Sequence, residues 1–289
     1  MSNWLKKLNI LKRYKARCIG VDFLNRRIVV IEPEKCIHVN KSIEEIISEI
    51  PDKRKYKKVK EGFLSDDYWQ NLDALNYLID YSIKEAKLGS SHYHLFIVLP
   101  YENYMFFHKK IHEVLSKTIK TYFCKILVTL NNIQCIFNHY SYHGRIKLQD
   151  ESGRKKSWFL FLLNEGFYLG YAFGDFVVEA ICIKDSYDKI TPGVIVNKIK
   201  ELLKTTSQDL LEELKNNEVF TDKEINNMIK DWEKPFEKTI YFYVPEKFKK
   251  IFGDSIYKYN IEYLDYDELS VIKGLEKFIL SITQKNEIT

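Results

Sequence analysis

Glycine and proline are scarce in this chain, at 11 and 6 of 289 residues, about half their usual combined share. Proteins that cradle nucleotide phosphates place glycines in loops where backbone N–H groups converge without side chains in the way, and few glycines are present here for that purpose. Cysteine is sparse too: Cys18, Cys36, Cys124, Cys135 and Cys182 occur singly, with no CxxC pair. An odd count at irregular spacing argues against a disulfide framework and against a zinc site, and points to reduced thiols in a cytoplasmic protein. No apolar run is long enough to span a bilayer, and the N-terminus lacks the uninterrupted apolar core of a signal peptide. Neither sign of charge dominates. Lys+Arg of 45 against Asp+Glu of 40 leaves +5, too mild to argue for nucleic acid, and the basic clusters at 6–17 and 53–60 are not interleaved with aromatics as a base-stacking surface would be.

What the chain does have is an ordinary globular share of apolar residues, 45%, with 29% charged. Its length suits one large domain or two lobes, each with its own core. Tyr and Phe are abundant, at 20 and 18. Most of these belong to the core, and part suits a protein-binding surface, where such rings are enriched.

The pattern along the chain repeats. Residues 18–31 read as two apolar strands around a tight turn at 23–26, and a third strand follows at 35–39. A helix is expected over 42–50, a basic connection over 53–60, and a long helix over 68–87. Further elements are a strand at 94–99 stopped by Pro100, a helix at 113–122, a strand at 125–130 and a short helix at 133–140. The polar stretch 144–156 reads as a linker. Beyond it, 158–163, 167–173 and 176–183 form a second three-strand meander, followed by helices near 194–203, 208–214 and 222–232. A strand at 239–244, a short helix after Pro245, a strand at 257–263 and a terminal helix at 268–283 complete the chain. Two successive βββαβαβα units describe an α/β, duplicated ribonuclease-H-like fold of two lobes. The expected division is a basic N-terminal segment 1–17, lobe I at 18–143 and lobe II at 157–289. The short span between Ile183 and Thr239 implies a reduced outer subdomain.

Four short motifs resemble the actin-like ATPase superfamily, and the bacterial MreB-like and PilM-like proteins in particular. They are Ile19-Gly-Val-Asp22, Lys60-Glu-Gly-Phe-Leu-Ser-Asp66 before a helix, Phe96-Ile-Val-Leu-Pro100, and Val271-Ile-Lys-Gly274 in the terminal helix. Tyr104-Met-Phe-Phe-His-Lys-Lys is similar to PilM and to the secretion protein GspL. The resemblance implies a nucleotide site near Asp22, Asn25, Gly166 and Gly274, in degenerate form. Leu24 stands where the first phosphate loop has glycine, and Leu162-Leu-Asn-Glu-Gly166 keeps one residue of the second loop. Tyr241-Phe-Tyr-Val has no glycine for adenosine, and Leu130-Asn-Asn132 has no carboxylate to position water. The expectation is therefore a pseudo-ATPase: no catalytic residues, no cofactor, and no metal.

Other chemistry is weaker. His108/His112 and His139/His143 are spaced four apart, but a zinc site needs further ligands and an HExxH carboxylate that the sequence lacks. Asp22 would also suit a metal-dependent ribonuclease-H-like nuclease, yet 94–99 and 125–130 supply no second acid. At the N-terminus Trp4, Leu5, Leu8 and Leu11 fall on one helical face flanked by Lys6 and Lys7, as in an interfacial membrane anchor. These readings lead to a non-catalytic actin-like scaffold on the cytoplasmic face of a membrane, organising a pilus- or secretion-type assembly. Its expected partners are other proteins of that assembly, further copies of itself and the membrane surface, with no nucleic acid. The alternatives are an MreB-like filament protein that still binds ATP with magnesium, and the nuclease.

Overall fold

The computed structural model describes residues 17–22, 27–32, 35–39, 43–65, 71–85, 93–102, 104, 126–150, 153–163, 166–184, 189–205, 226–227, 230–231, 234–267 and 269–284. The residues of the expected N-terminal anchor and the helices expected at 113–122 and 208–214 lie outside them. Seven helices of some length are described. They are α1 (Ile43–Glu49), α2 (Arg54–Leu64), α3 (Leu72–Glu85), α4 (Asn132–Tyr142), α5 (Pro192–Thr205), α6 (Glu246–Phe252) and α7 (Ser270–Gln284). The chain divides into two compact units. One holds Lys6–His139 with Glu268–Thr289, and the other holds Tyr140–Asp267.

In the first unit, β1 (Arg17–Asp22), β2 (Arg27–Glu32) and β3 (Lys35–Val39) form an antiparallel meander, with Cys18 opposite Ile31 and Ile28 opposite Val39. Strands β4 (Tyr93–Leu99) and β5 (Ile126–Asn131) join in parallel, with Ile19 opposite Leu95 and Leu95 opposite Leu127. The order is β3-β2-β1-β4-β5. Strand β4 is buried from His94 to Leu99, which is why Leu95–Leu99 is an unbroken apolar run rather than an alternating one. Helix α7 supplies Val271, Ile272, Leu275 and Ile279 to the same core. Leu275 lies over Gly20 of β1, where a Cβ would come within 2.7 Å of its Cδ2, and Phe278 meets Phe96 edge-on at 6.3 Å.

The second unit repeats the plan. Strands β8 (Lys156–Leu163), β9 (Gly166–Phe173) and β10 (Phe176–Ile183) form the meander, with Trp158 opposite Tyr171 and Ile181 opposite Leu169. Strand β11 (Thr239–Tyr243) pairs parallel with β8 and with β13 (Tyr259–Leu264), and β12 (Ser255–Ile256) closes a hairpin on β13. The order is β10-β9-β8-β11-β13-β12. Its core joins Trp158, Leu160, Phe167 and Phe242 of the sheet with Ile195 and Ile199 of α5 and with Phe248 and Phe252 of α6. The first sheet thus has the strand order 3-2-1-4-5, and the second has the same order once the short strand β12 at its edge is set aside, each with its second strand antiparallel. That is the ribonuclease-H-like arrangement, present twice.

Two expectations differ from the observed fold. The basic connection at 53–60 is helical, as part of α2. Lysine and arginine favour helix, and Tyr56, Val59 and Phe63 recur at helical spacing, with Val59 and Phe63 buried. Lys60–Leu64, the start of the motif expected before a helix, therefore ends a helix itself. The second difference is the division. Residues 144–156 contain the small hairpin of β6 (Gln149–Asp150) and β7 (Gly153–Arg154) and lie inside the second unit, while α7 groups with the first.

Candidate functional site

In open α/β sheets ligands bind at the carboxyl ends of parallel strands. In the first unit that end carries Asp22, the last residue of β1, and Asn131, the last residue of β5. They flank β4, with Asp22 opposite Val98 and Asn131 opposite Leu99. Two strand spacings put their backbones about 10 Å apart. Asp22 is fully buried, at 0% exposure. The Asn131 side chain is engaged locally: its Oδ1 accepts from the Gln134 N–H at 2.7 Å, capping α4. Asn132, also buried, accepts from the Ile133 N–H through Oδ1 at 3.0 Å. The position at which a water-orienting acid would be sought is therefore occupied by a helix cap.

Cys135 sits in the first turn of α4, fully buried. Burial, and then the charge of Asp22, push its thiol well above the ordinary range, so it stays protonated and is no nucleophile. Gly274 of α7 packs on the same turn. A Cβ there would overlap the Cys135 carbonyl oxygen and carbon, so only glycine lets the two helices come this close. Asp22, Gly20, Cys135 and Gly274 thus form one tightly packed group within the first unit.

Gly166 belongs to the second unit. It opens β9 with φ +144°, and a Cβ there would lie 3.0 Å from the Ile183 carbonyl oxygen. A side chain would strain the backbone and crowd β10. Asn25 and the anchor residues Trp4, Leu5, Lys6, Lys7, Leu8 and Leu11 lie outside the described residues. Cys18 and Cys135 are buried, and Cys182 is half-buried. Among the described residues no three His, Cys, Asp or Glu side chains gather as metal ligands.

A polar group in the second unit escaped the sequence reading. The Lys155 ammonium meets Glu237 at 2.7 Å, and the Ser157 hydroxyl donates to the other Glu237 oxygen at 3.0 Å. Asp231 accepts from the Arg154 N–H at 3.0 Å and from Lys234 at 2.6 Å. Lys156 is buried with its Nζ 4.7 Å from the centre of the Phe236 ring, and burial lowers its pKa. Together these contacts stitch Asp231, Phe236 and Glu237 to the start of β8. The only sequence signal was a pair of lysines before an apolar run.

Two ribonuclease-H-like sheets in one chain, each opened by a three-strand meander, make this an actin-like fold. No protein-family model and no curated protein matches the sequence. Solved structures do. MreB5 of Spiroplasma citri bound to AMPPNP is 9% identical over 95% of this chain and 99% of that chain, with a TM-score of 0.49. The apo ParM protein of pSK41 is 10% identical over 95% and 100%, at 0.45. The ethanolamine utilization protein EutJ from Carboxydothermus hydrogenoformans is 10% identical over 96% and 97%, at 0.38. Likeness at this identity says nothing of activity. No described helix is long and apolar enough to cross a membrane.

Proposed function

We propose that this chain is a catalytically silent actin-like scaffold at the inner face of a membrane, holding together an envelope assembly of the pilus or secretion type. The observation that carries the reading is the use made of the motif positions. Asn131 caps a helix, Gly274 seats α7 on α4, and Gly166 relieves a strand start, so each has a packing reason that needs no nucleotide. Phosphate binding requires several convergent N–H groups and a carboxylate that can reach magnesium, and the sequence retains one glycine of the second loop. Partners would be proteins of the assembly and further copies of the chain, with the basic N-terminal segment touching lipid.

Thermal unfolding with and without millimolar ATP and magnesium tests this. A ligand present at a hundred times its Kd stabilises by about 2.7 kcal/mol, roughly 5 °C in Tm for a chain of this size. The expected result is no shift, and a rise of several degrees overturns the reading. The actin-like fold also favours a second reading, an MreB-like filament that still binds nucleotide. Sedimentation and negative-stain microscopy separate the two, since nucleotide-dependent filaments support the second and a soluble monomer or dimer the first.

A further inference from the structure

Helix α2 carries a charge that its own folding does not call for. Lys53, Arg54, Lys55, Lys57, Lys58 and Lys60 stand against Asp52 and Glu61, a net +4 over 52–64 in a chain whose total is +5. Its apolar side is already in use, with Val59, Gly62 and Phe63 buried. Lys53, Arg54, Lys55, Lys57 and Lys58 are all exposed, and Lys60 is half-buried. The ion pair within the helix is a loose one, Lys57–Glu61 at 3.9 Å with both side chains largely in solvent. Lys53, Arg54, Lys58 and Lys60 meet no carboxylate among the described residues.

The placement is also wrong for helix stability. The first turn has no acid, Lys53 provides no side-chain cap, and the cations sit at the positive end of the helix dipole, where anions are favoured. A sequence selected for stability alone would put aspartate or glutamate there. Beyond the last turn of cations, Leu64 is 68% exposed.

We infer that this face of α2 docks on an anionic phospholipid surface, as a second membrane contact besides the N-terminal segment. The composition selects lipid over other polyanions. Five of the six cations are lysines, point charges on flexible stems suited to diffuse headgroup charge, whereas arginine forks suit fixed carboxylates and phosphates. The one ring in the run, Tyr56, is half-buried and packed edge-on against Tyr77 at 5.8 Å, so no stacking platform for bases is offered. A helix of 11 residues presents a strip about 16 Å long. Clusters of four to eight cations on an amphipathic helix are the usual basis of attraction to an anionic leaflet. The inference rests on the reading of the chain as a peripheral membrane scaffold, and two contacts per chain would raise the avidity of each.

The experiment is co-sedimentation of four full-length chains: the parent, an N-terminal variant (Trp4→Ala with Leu8→Ala), an α2 variant (Lys53→Gln, Arg54→Gln, Lys58→Gln and Lys60→Gln together), and the combination. Vesicles are pure phosphatidylcholine, or phosphatidylcholine with about one third phosphatidylserine. At low salt each cation contributes about fivefold to partitioning, so the α2 variant, which loses four, should lose nearly three orders of magnitude on the anionic vesicles. It should lose nothing further on the neutral ones, and the parent should detach at about 0.5 M salt. The variant's Tm should hold or rise, because cations leave the positive end of a dipole; this separates lost docking from lost folding. Equal recovery of parent and α2 variant overturns the inference. If the N-terminal variant alone loses binding, the scaffold reading stands without α2, and if the parent ignores anionic vesicles both fall. Retention of the chain on polyglutamate or single-stranded DNA, without vesicle binding, also overturns it.

Discussion

Replacing Gly274 by alanine puts a methyl group into the backbone of the neighbouring helix, and the consequence can be worked through. The added Cβ would overlap the Cys135 carbonyl, a group held in the hydrogen-bond ladder of α4 and unable to swing aside as a side-chain end can. Helix α7 must then move away from α4. Such a shift disturbs Leu275 over Gly20 and Phe278 against Phe96. Overpacking of this kind costs about 1–3 kcal/mol. The clash is with fixed backbone, so the cost belongs to the upper half of that range; alanine returns at most about 1 kcal/mol through its helix propensity, leaving a net loss of about 1–3 kcal/mol. Gly193 in α5 provides the matched control: its nearest neighbour to a new Cβ is Thr191 Oγ1 at 3.8 Å, an ordinary contact. There the same substitution should be neutral or stabilising by up to about 1 kcal/mol. Urea unfolding of the full chain, compared at constant m, measures both. Cm should fall for Gly274→Ala and hold or rise for Gly193→Ala. If Gly274→Ala leaves Cm unchanged or raises it, Gly274 is not a packing residue, and the packing account of the terminal-helix motif fails with it.

Three further outcomes follow from the structure. Asn131→Ala removes the α4 cap and should destabilise by about 1 kcal/mol, whereas Asn131→Asp keeps an acceptor for the Gln134 N–H and should stay close to the parent in a urea titration. Glu237→Ala strands Lys155 and Ser157, which it partners at 2.7 and 3.0 Å, and should lower stability by about 1–3 kcal/mol; Arg145→Ala breaks a 3.0 Å pair with Asp265 whose side chains are 42% and 80% exposed, and should cost less than about 1 kcal/mol. Tyr241 is pushed up to about 12, chiefly by burial. A folded pKa raised above the unfolded value means stability that is intact below pH 10 and lost as pH rises towards 12, about 1.4 kcal/mol of it by pH 11; Tyr241→Phe should flatten that decline in urea midpoints taken from pH 8 to 11, and an unchanged slope would refute the assignment.

How much of this was legible in the sequence depends on the range of the forces involved. Apolar runs bounded by turns located β8 and β9, because strands buried on both faces leave an unbroken record in composition, and the turn after β9 located the half-buried β10. The second meander made the duplication readable, and with it the actin-like fold. The spacing of Tyr56, Val59 and Phe63 was present in the run at 53–60, but six cations masked it, and α2 became evident only where Val59 and Phe63 are buried. Asn131 could be noted as the absence of an acid, while its work as a cap needed the start of α4 to be placed.

What the sequence by itself determined is the local alternation and periodicity, and through them the two sheets and the loss of the phosphate-loop glycines. What only the tertiary structure decided are contacts between residues far apart in the chain. Gly20 and Leu275, or Cys135 and Gly274, meet because a terminal helix returns to the first sheet. That return puts α7 with the first unit and gives Gly274 its reason to be glycine. Period and propensity act over one or two turns, so they record which face a residue shows; they carry no trace of which distant backbone that face will meet.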